Sequence, residues 1–289
     1  MQKSKIPVSQ TGAGSQPAEE DGASLDILQL PDEMQTFRMP EIPDPKRLAE
    51  QSVAKEVMGQ LHQALVEQAT GRLGQVDPID LGKLDSDSLE MIDQLLGEGE
   101  VSMRFESDTC HARVQESVLA GVWRIRYFTP EGELSTDTVE VTDVPKLCRR
   151  HVFTHAAHRA DMSQDKTPPG VLNAPPLLTE INDKVAEYRP GHESHVINLT
   201  LLPQTEEDLG YLIDRLGEGP LTILSRGYGN CRITSTGVEN VWWVQYFNSQ
   251  DRNILNTLEI GGVPAVAGAA VEDLQDSAER LTEMMELYQ

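Results

Sequence analysis

The chain has 289 residues and carries 47 acidic against 24 basic side chains, a formal net charge of −23, with 38% apolar residues. That composition belongs to a soluble globular protein of one large or two modest domains. It excludes a bilayer span, since no apolar run approaches the ~18 residues required, and it argues against nucleic acid as a partner, because phosphate binding needs clustered lysine and arginine. The N-terminal stretch lacks the apolar centre of a secretory signal. Cys110, Cys148 and Cys231 lie far apart with no CxxC pair, which fits a reducing, cytoplasmic compartment.

Residues 1–45 hold six of the seventeen prolines and few aromatics. Such a segment buries too little apolar surface to offset backbone ordering of ~1–2 kcal/mol per residue, so a disordered acidic tail is expected. Its single apolar cluster, Leu25 to Leu30, is a candidate for docking on the body or on a partner. A helix is predicted over 46–68, where Val53, Val57, Leu61 and Leu65 recur every four residues on one side. Pro78 to Leu81 reads as a short extended piece. A second helix follows, capped by Asp85 or Ser86, with Leu89, Ile92 and Leu96 as its apolar stripe, and Gly97–Gly99 stops it. The period then falls to two. Val101–Phe105, Arg113–Ser117, Val122–Phe128 and Thr138–Val141 read as four strands in antiparallel hairpins, one turned at Pro130–Gly132. Val144-Pro145 then opens a last helix.

A proline-rich break over 161–175, extended by Pro176, reads as a linker that no helix interior tolerates. After it the pattern returns. Leu177–Tyr188 is a shorter first helix, and Val196–Leu199 matches Pro78–Leu81. Thr205 caps a second helix with Asp208 at its third position, ahead of Leu209, Leu212 and Leu216. The tetrapeptide LGEG at Leu96–Gly99 recurs at Leu216–Gly219. Ala112–Pro145 aligns without gaps on Cys231–Pro264, with nine identities in thirty-four pairs, among them Trp123/Trp242, Tyr127/Tyr246 and Phe128/Phe247. The expectation is an internally duplicated α+β protein: an α-β-α-(β)4-α module over 46–160 and again over 176–289, mostly antiparallel, the copies related by a pseudo-twofold axis.

Candidate chemistry is sparse. Cys148, His151, His155 and His158 fall within an arc of about 80° if the helix after Pro145 continues. A thiolate and imidazoles on one face suit a divalent metal. The other reading is a packing stripe, because the second copy places Ala267, Ala270, Leu274 and Ser277 there. His192 and His195 read as a loop pair, and three scattered cysteines make a poor iron–sulfur ligand set. Gly227–Cys231, GYGNC, matches no phosphate-binding pattern and precedes a strand, so it reads as a turn with Gly227 and Gly229 at positive φ, or as a partner-facing loop. There is no nucleophile-elbow or metalloprotease motif. On the duplicated strand, Trp123, Ile125, Tyr127 and Trp242, Val244, Tyr246 take the core face. The opposite face carries Arg124 in one copy and Trp243 in the other, beside Gln245 and Phe247. Trp243 near Gly227, Tyr228, Gly229 and Asn230 is either an exposed binding hot spot or covered by contact between the copies.

The run GYGNCRITSTGVENVWWVQYFNSQ (Gly227–Gln250), with LGEG upstream and VEDLQDSAERL (Val271–Leu281) downstream, resembles the HupH/HyaF/HoxQ family of hydrogenase expression and formation proteins. LLGEGEVSMRFE and VLAGVWRIRYF of the first copy resemble it too, and the likeness spans about residues 75–289. The resemblance implies a non-enzymatic accessory protein in the maturation of an uptake NiFe-hydrogenase. Such a protein is thought to hold the small-subunit precursor, with its iron–sulfur clusters and twin-arginine signal, before export, beside a thioredoxin-like companion. It supplies no catalytic or cofactor-binding residues; metal or iron–sulfur delivery is the alternative. A charge of −23 suits attraction of a basic leader within about 8–10 Å, and equally suits plain solubility.

Overall fold

The computed structural model describes residues 52–71, 76–163, 167–227 and 229–286. The expected tail over 1–45 and the start of the predicted first helix, 46–51, lie outside these residues. The first half contains α1 (Ser52–Ala69), β1 (Ile79–Asp80), α2 (Ser86–Leu96), β2 (Val101–Glu106), β3 (His111–Glu116), β4 (Val122–Phe128), β5 (Leu134–Val141) and α3 (Lys146–Arg150). The second contains α4 (Ala174–Glu187), β6 (His195–Asn198), a 3-10 turn at Leu199–Leu201, α5 (Glu206–Leu216), β7 (Glu218–Ser225), β8 (Asn230–Thr236), β9 (Val241–Phe247), β10 (Asn253–Ile260), a 3-10 turn at Ala265–Ala267 and α6 (Val271–Glu286). The fold is α+β. All ten strands form one antiparallel sheet in the order β1-β5-β4-β3-β2-β7-β8-β9-β10-β6. Five strands from each half are laid down in the same order and meet at β2–β7.

Local chemistry fixes the same landmarks in both halves. Asp85 caps α2 by accepting the Ser88 N–H at 2.9 Å, and Thr205 caps α5 by accepting the Asp208 N–H at 3.0 Å. Gly97 and Gly217 end these helices at φ 54° and 65°, where a side chain is disfavoured. Two residues on, a Cβ on Gly99 would overlap the Ser117 carbonyl, and one on Gly219 the Ser235 side chain and Thr236 carbonyl. The repeated LGEG thus serves first a helix stop and then a close backbone approach.

One face of the sheet bears a core shared by both halves. Met103, Phe105, Val114, Trp123 and Ile125 pack with Ile223, Ile233, Trp242 and Val244 under α3 and the Ala265–Ala267 turn. Both tryptophans are fully buried and satisfied alike: Trp123 Nε1 donates to the Thr142 carbonyl at 2.8 Å, Trp242 Nε1 to that of Gly261 at 3.3 Å. The other face carries two separate helix layers. α1, α2 and α6 cover Val122, Val139 and Val141, whereas α4 and α5 cover Val241, Trp243, Leu258 and Ile260.

The halves also exchange segments. After α3 the chain crosses to the second half, where Ala157 N–H donates to Gly237 O at 2.7 Å and Glu239 N–H to Ala157 O at 2.9 Å. In return α6 lies on the first half. Leu274 covers Gly121, and Ser277 Oγ and Arg280 Nη1 donate to the carbonyls of Ala120 and Val118, each at 3.0 Å.

The expected linker is more structured than its prolines suggest. Pro175 and Pro176 occupy the first turn of α4, where a missing N–H is harmless. The approach to that helix is tied down by buried Asp208. Its Oδ1 accepts the N–H groups of Leu172, Asn173 and Ala174 at 2.8, 2.8 and 2.9 Å, and its Oδ2 that of Thr205 at 3.2 Å. Burial opposes ionisation, but these donors outweigh it and hold the carboxyl below its ordinary 3.8. A lowered value means that the contribution is present above pH 3.8 and disappears as pH falls below it. Asp208→Asn is expected to lower stability by about 2–4 kcal/mol at neutral pH and to flatten the acid limb of the stability curve, as measured by urea unfolding.

Glu116 shows the opposite behaviour. It accepts the Gly121 N–H at 3.2 Å, but burial, with smaller repulsion from Glu100 and Asp273, pushes its carboxyl from 4.5 up to about 7. Between those values the folded chain keeps a proton the unfolded chain has released, so stability is fullest below pH 4.5, falls as pH rises towards 7, and levels off above it. Glu116→Gln should remove this fall, leaving the variant more stable than the parent at pH 8 by on the order of 3 kcal/mol; matched urea titrations across pH measure it.

Candidate functional site

The cores beneath the helix layers draw on β4 and β5 and on β6, β9 and β10, but on none of the four inner strands. Between the layers the sheet is therefore floored by polar side chains. Cross-strand register places Arg126, Arg113, Arg104, Thr222 and Thr234 in one row, and Gln115, Ser102, Leu224, Arg232 and Gln245 in the next. Three arginines abreast are unfavourable without compensation. Arg104 Nε donates to Glu106 at 2.6 Å, Arg126 lies 3.8 Å from Asp137, and the Arg113 guanidinium sits 5.6 Å from the centre of the Phe128 ring. Arg232 repeats that last arrangement over Phe247 at 5.2 Å. The row is open to water: Arg113 is exposed, and Arg104 and Arg126 are partly so. An acidic molecule thus carries a furrow between its helix layers with water-accessible arginines on the first-half side, while Leu224, Arg232, Thr234 and Gln245 on the second-half side are buried.

The residues singled out from the sequence distribute around this furrow. Gln245 and Phe247 lie on its floor and Asn230 at its end, beside the β7–β8 turn. In that turn Gly229 takes φ 101°, whereas Gly227 has no positive φ. A Cβ on Gly227 would meet only the mobile end of the Glu100 side chain, so neither turn geometry nor backbone approach demands that glycine. Tyr228 lies outside the described residues. Trp243 is not at the surface. It is 6% exposed beneath α4 and α5, with Nε1 donating to Asn256 Oδ1 at 2.5 Å. In the first half the two equivalent positions hold Arg124 and Asp137, joined at 2.7 and 3.0 Å, with Asp93 of α2 as a further partner. A charged strand-to-helix link in one half is thus a buried indole and amide in the other.

The continuous Cys/His helix is also corrected. α3 stops at Arg150, because the chain leaves to meet Gly237. Cys148 is buried with Sγ 3.3 Å from Met103 Sδ, whereas His151, His155 and His158 are exposed and His158 pairs with Glu239 at 2.9 Å. His195 pairs with Glu180 at 2.7 Å, with His192 exposed. Among the described residues no three His, Cys, Asp or Glu side chains gather as a metal site, and no helix is long and apolar enough to cross a membrane.

Sequence reasoning missed a second surface. Leu172, Leu201, Leu202 and Ile254 of the second half are exposed. The legible signal was Leu201, the first of an adjacent leucine pair, which stands where the first half has Lys83.

All three tryptophans of the chain are buried. The intact protein should therefore emit as shielded indole, unquenched by iodide until it unfolds. Iodide quenching of the native protein at a rate typical of free tryptophan would contradict the placement of Trp243.

The family profile described as HupH hydrogenase expression protein, C-terminal conserved region, matches residues 51–161 and 171–288. The chain is 42% identical to hydrogenase expression/formation protein HoxQ of Cupriavidus necator, over 99% of this chain and 98% of that protein. It is 41% identical to HupH of Rhizobium leguminosarum over 80% and 81%, and 32% identical to the hydrogenase-1 operon protein HyaF of Escherichia coli over 94% and 93%. A solved structure, hydrogenase expression protein HupH from Thiobacillus denitrificans, aligns at a TM-score of 0.36 and 28% identity, over 39% of this chain and 95% of that one. The chain belongs to the HupH family of hydrogenase expression/formation proteins.

Proposed function

We propose that this protein is a non-catalytic accessory factor that binds the iron–sulfur small-subunit precursor of an uptake NiFe-hydrogenase before its twin-arginine export. The observation that carries the reading is the row of Arg126, Arg113 and Arg104 on three adjacent strands, reachable by water between the helix layers. Delivery of metal or of an iron–sulfur cluster is the weaker reading, since Cys148 and Cys231 are buried in the shared core and, among the described residues, no three His, Cys, Asp or Glu side chains gather around either. A thioredoxin-like companion would act on the same precursor.

We also infer that the two halves descend from one module. Matching each residue of β2 with that 120 positions later in β7 makes the seam self-complementary: Met103 pairs with Ile223, while Val101↔Ser225 and Phe105↔Leu221 exchange places. A pseudo-twofold axis through the Met103–Ile223 pair accounts for that register. The repeated tryptophan–carbonyl bonds and arginine–phenylalanine stacks support the same inference.

Affinity capture on the tagged full chain tests the function. The precursor should be retained and the exported, processed subunit should not, and Arg104→Glu/Arg113→Glu should reduce retention at least tenfold without altering the melting temperature by more than a few degrees. Equal retention of both forms, or none of either, would overturn the reading.

A further inference from the structure

Among the described residues of the second half, four of the five exposed large apolar side chains lie on neighbouring segments, Val196 being the fifth. Leu172 precedes α4, Leu201 and Leu202 follow β6, and Ile254 lies near the start of β10, with 70, 79, 37 and 57% of their surfaces exposed. Two bonds hold them as neighbours. Asn173 Nδ2 donates to the Pro203 carbonyl at 2.5 Å, and the Asn256 N–H to Thr200 Oγ1 at 2.7 Å. Where the second half has Leu201 and Ile254 the first half has Lys83 and Ser135, so nothing in the shared architecture requires these two groups to be apolar. Apolar side chains clustered in water represent burial not yet realised and mark a contact surface. The rim is acidic. Glu206 and Glu207 are exposed in the first turn of α5, Glu207 lying against Gly170.

Charge selects the occupant. The chain's own apolar cluster, Leu25 to Leu30, sits in a stretch over 19–33 with six acidic residues and no basic one, and a second copy brings another −23. Both present like charge to Glu206 and Glu207. A segment with an apolar run next to arginine or lysine satisfies the patch and its rim together. We propose that Leu172, Leu201, Leu202 and Ile254, with Glu206 and Glu207, form the docking site for such a basic, apolar segment. The inference rests on the precursor-binding reading and assigns the precursor's leader to this end of the sheet, away from the furrow, whose arginines would repel it.

The test uses the full-length protein and a fluorescent peptide with two adjacent arginines ahead of an apolar run of about twelve residues. Anisotropy should report saturable binding that Leu201→Ser/Leu202→Ser weakens at least tenfold. Glu206→Gln/Glu207→Gln should weaken it and reduce its salt dependence, and a peptide with glutamates in place of the arginines should bind at least tenfold more weakly. Unchanged affinity in the leucine variant, or equal binding of the acidic peptide, overturns the proposal. So does a dimer in sedimentation that the leucine variant abolishes, or a rise in wild-type affinity on removing residues 1–45, which would assign the patch to a second copy or to the chain's own segment. Precursor captured equally by the wild type and the leucine variant sinks this site but leaves the function standing. Peptide binding without any precursor capture sinks the function and leaves the site.

Discussion

The pairing of β2 with β7 at the middle of the sheet is the constraint on which the rest depends. Each half alone would end in an exposed strand, an invitation to unwanted pairing. Joining the two removes both edges at once and makes a continuous face on which Met103, Phe105, Trp123, Ile223 and Trp242 share one core. The exchanged segments reinforce it: residues near Ala157 pair on the second half, and α6 lies on the first. The outer edges are thereby set about 40 Å apart, nine strand spacings. One is blunted to the two residues of β1, and the other, β6, leads directly into the exposed leucines.

The seam imposes likeness on the halves, yet structurally equivalent positions differ in chemistry. Positions 124 and 137 form an ion pair under α2, whereas 243 and 256 form a buried indole–amide bond under α4 and α5. The surface consequence is that the first half contributes most of the furrow's arginines while the second contributes the apolar patch. Both lie on the helix-bearing side or at its end, so a single partner is able to meet a cationic floor and an acidic, apolar margin.

Much of this was legible in the sequence because it depends on local rules. The capping residues Asp85, Thr205 and Asp208, the glycine stops and the period-two strands follow from backbone chemistry within a few residues. The alignment of Trp123 with Trp242 correctly identified the core face of the sheet. That Trp243 is buried was one of two readings open in the sequence, but what buries it was not legible, since helices α4 and α5 are laid over β9 by the tertiary fold. Early termination of α3 was hidden for the same reason: its histidines keep helical spacing, but the backbone beyond Arg150 is drawn away by Gly237. Prolines 175 and 176 misled in the other direction, because proline disrupts a helix interior but is tolerated in a first turn. The arginine row was invisible because Arg104, Arg113 and Arg126 come from three strands and meet only through register.

The account's central claim is that two halves of like architecture act unequally, with the second half carrying the apolar contact. Hydrogen exchange on the full chain, free and saturated with the small-subunit precursor, tests this most directly. Protection is predicted to rise over 199–207 and 253–256 and to stay unchanged over 81–87 and 134–137. Equal protection of both pairs of segments, or protection confined to the first half, would contradict it.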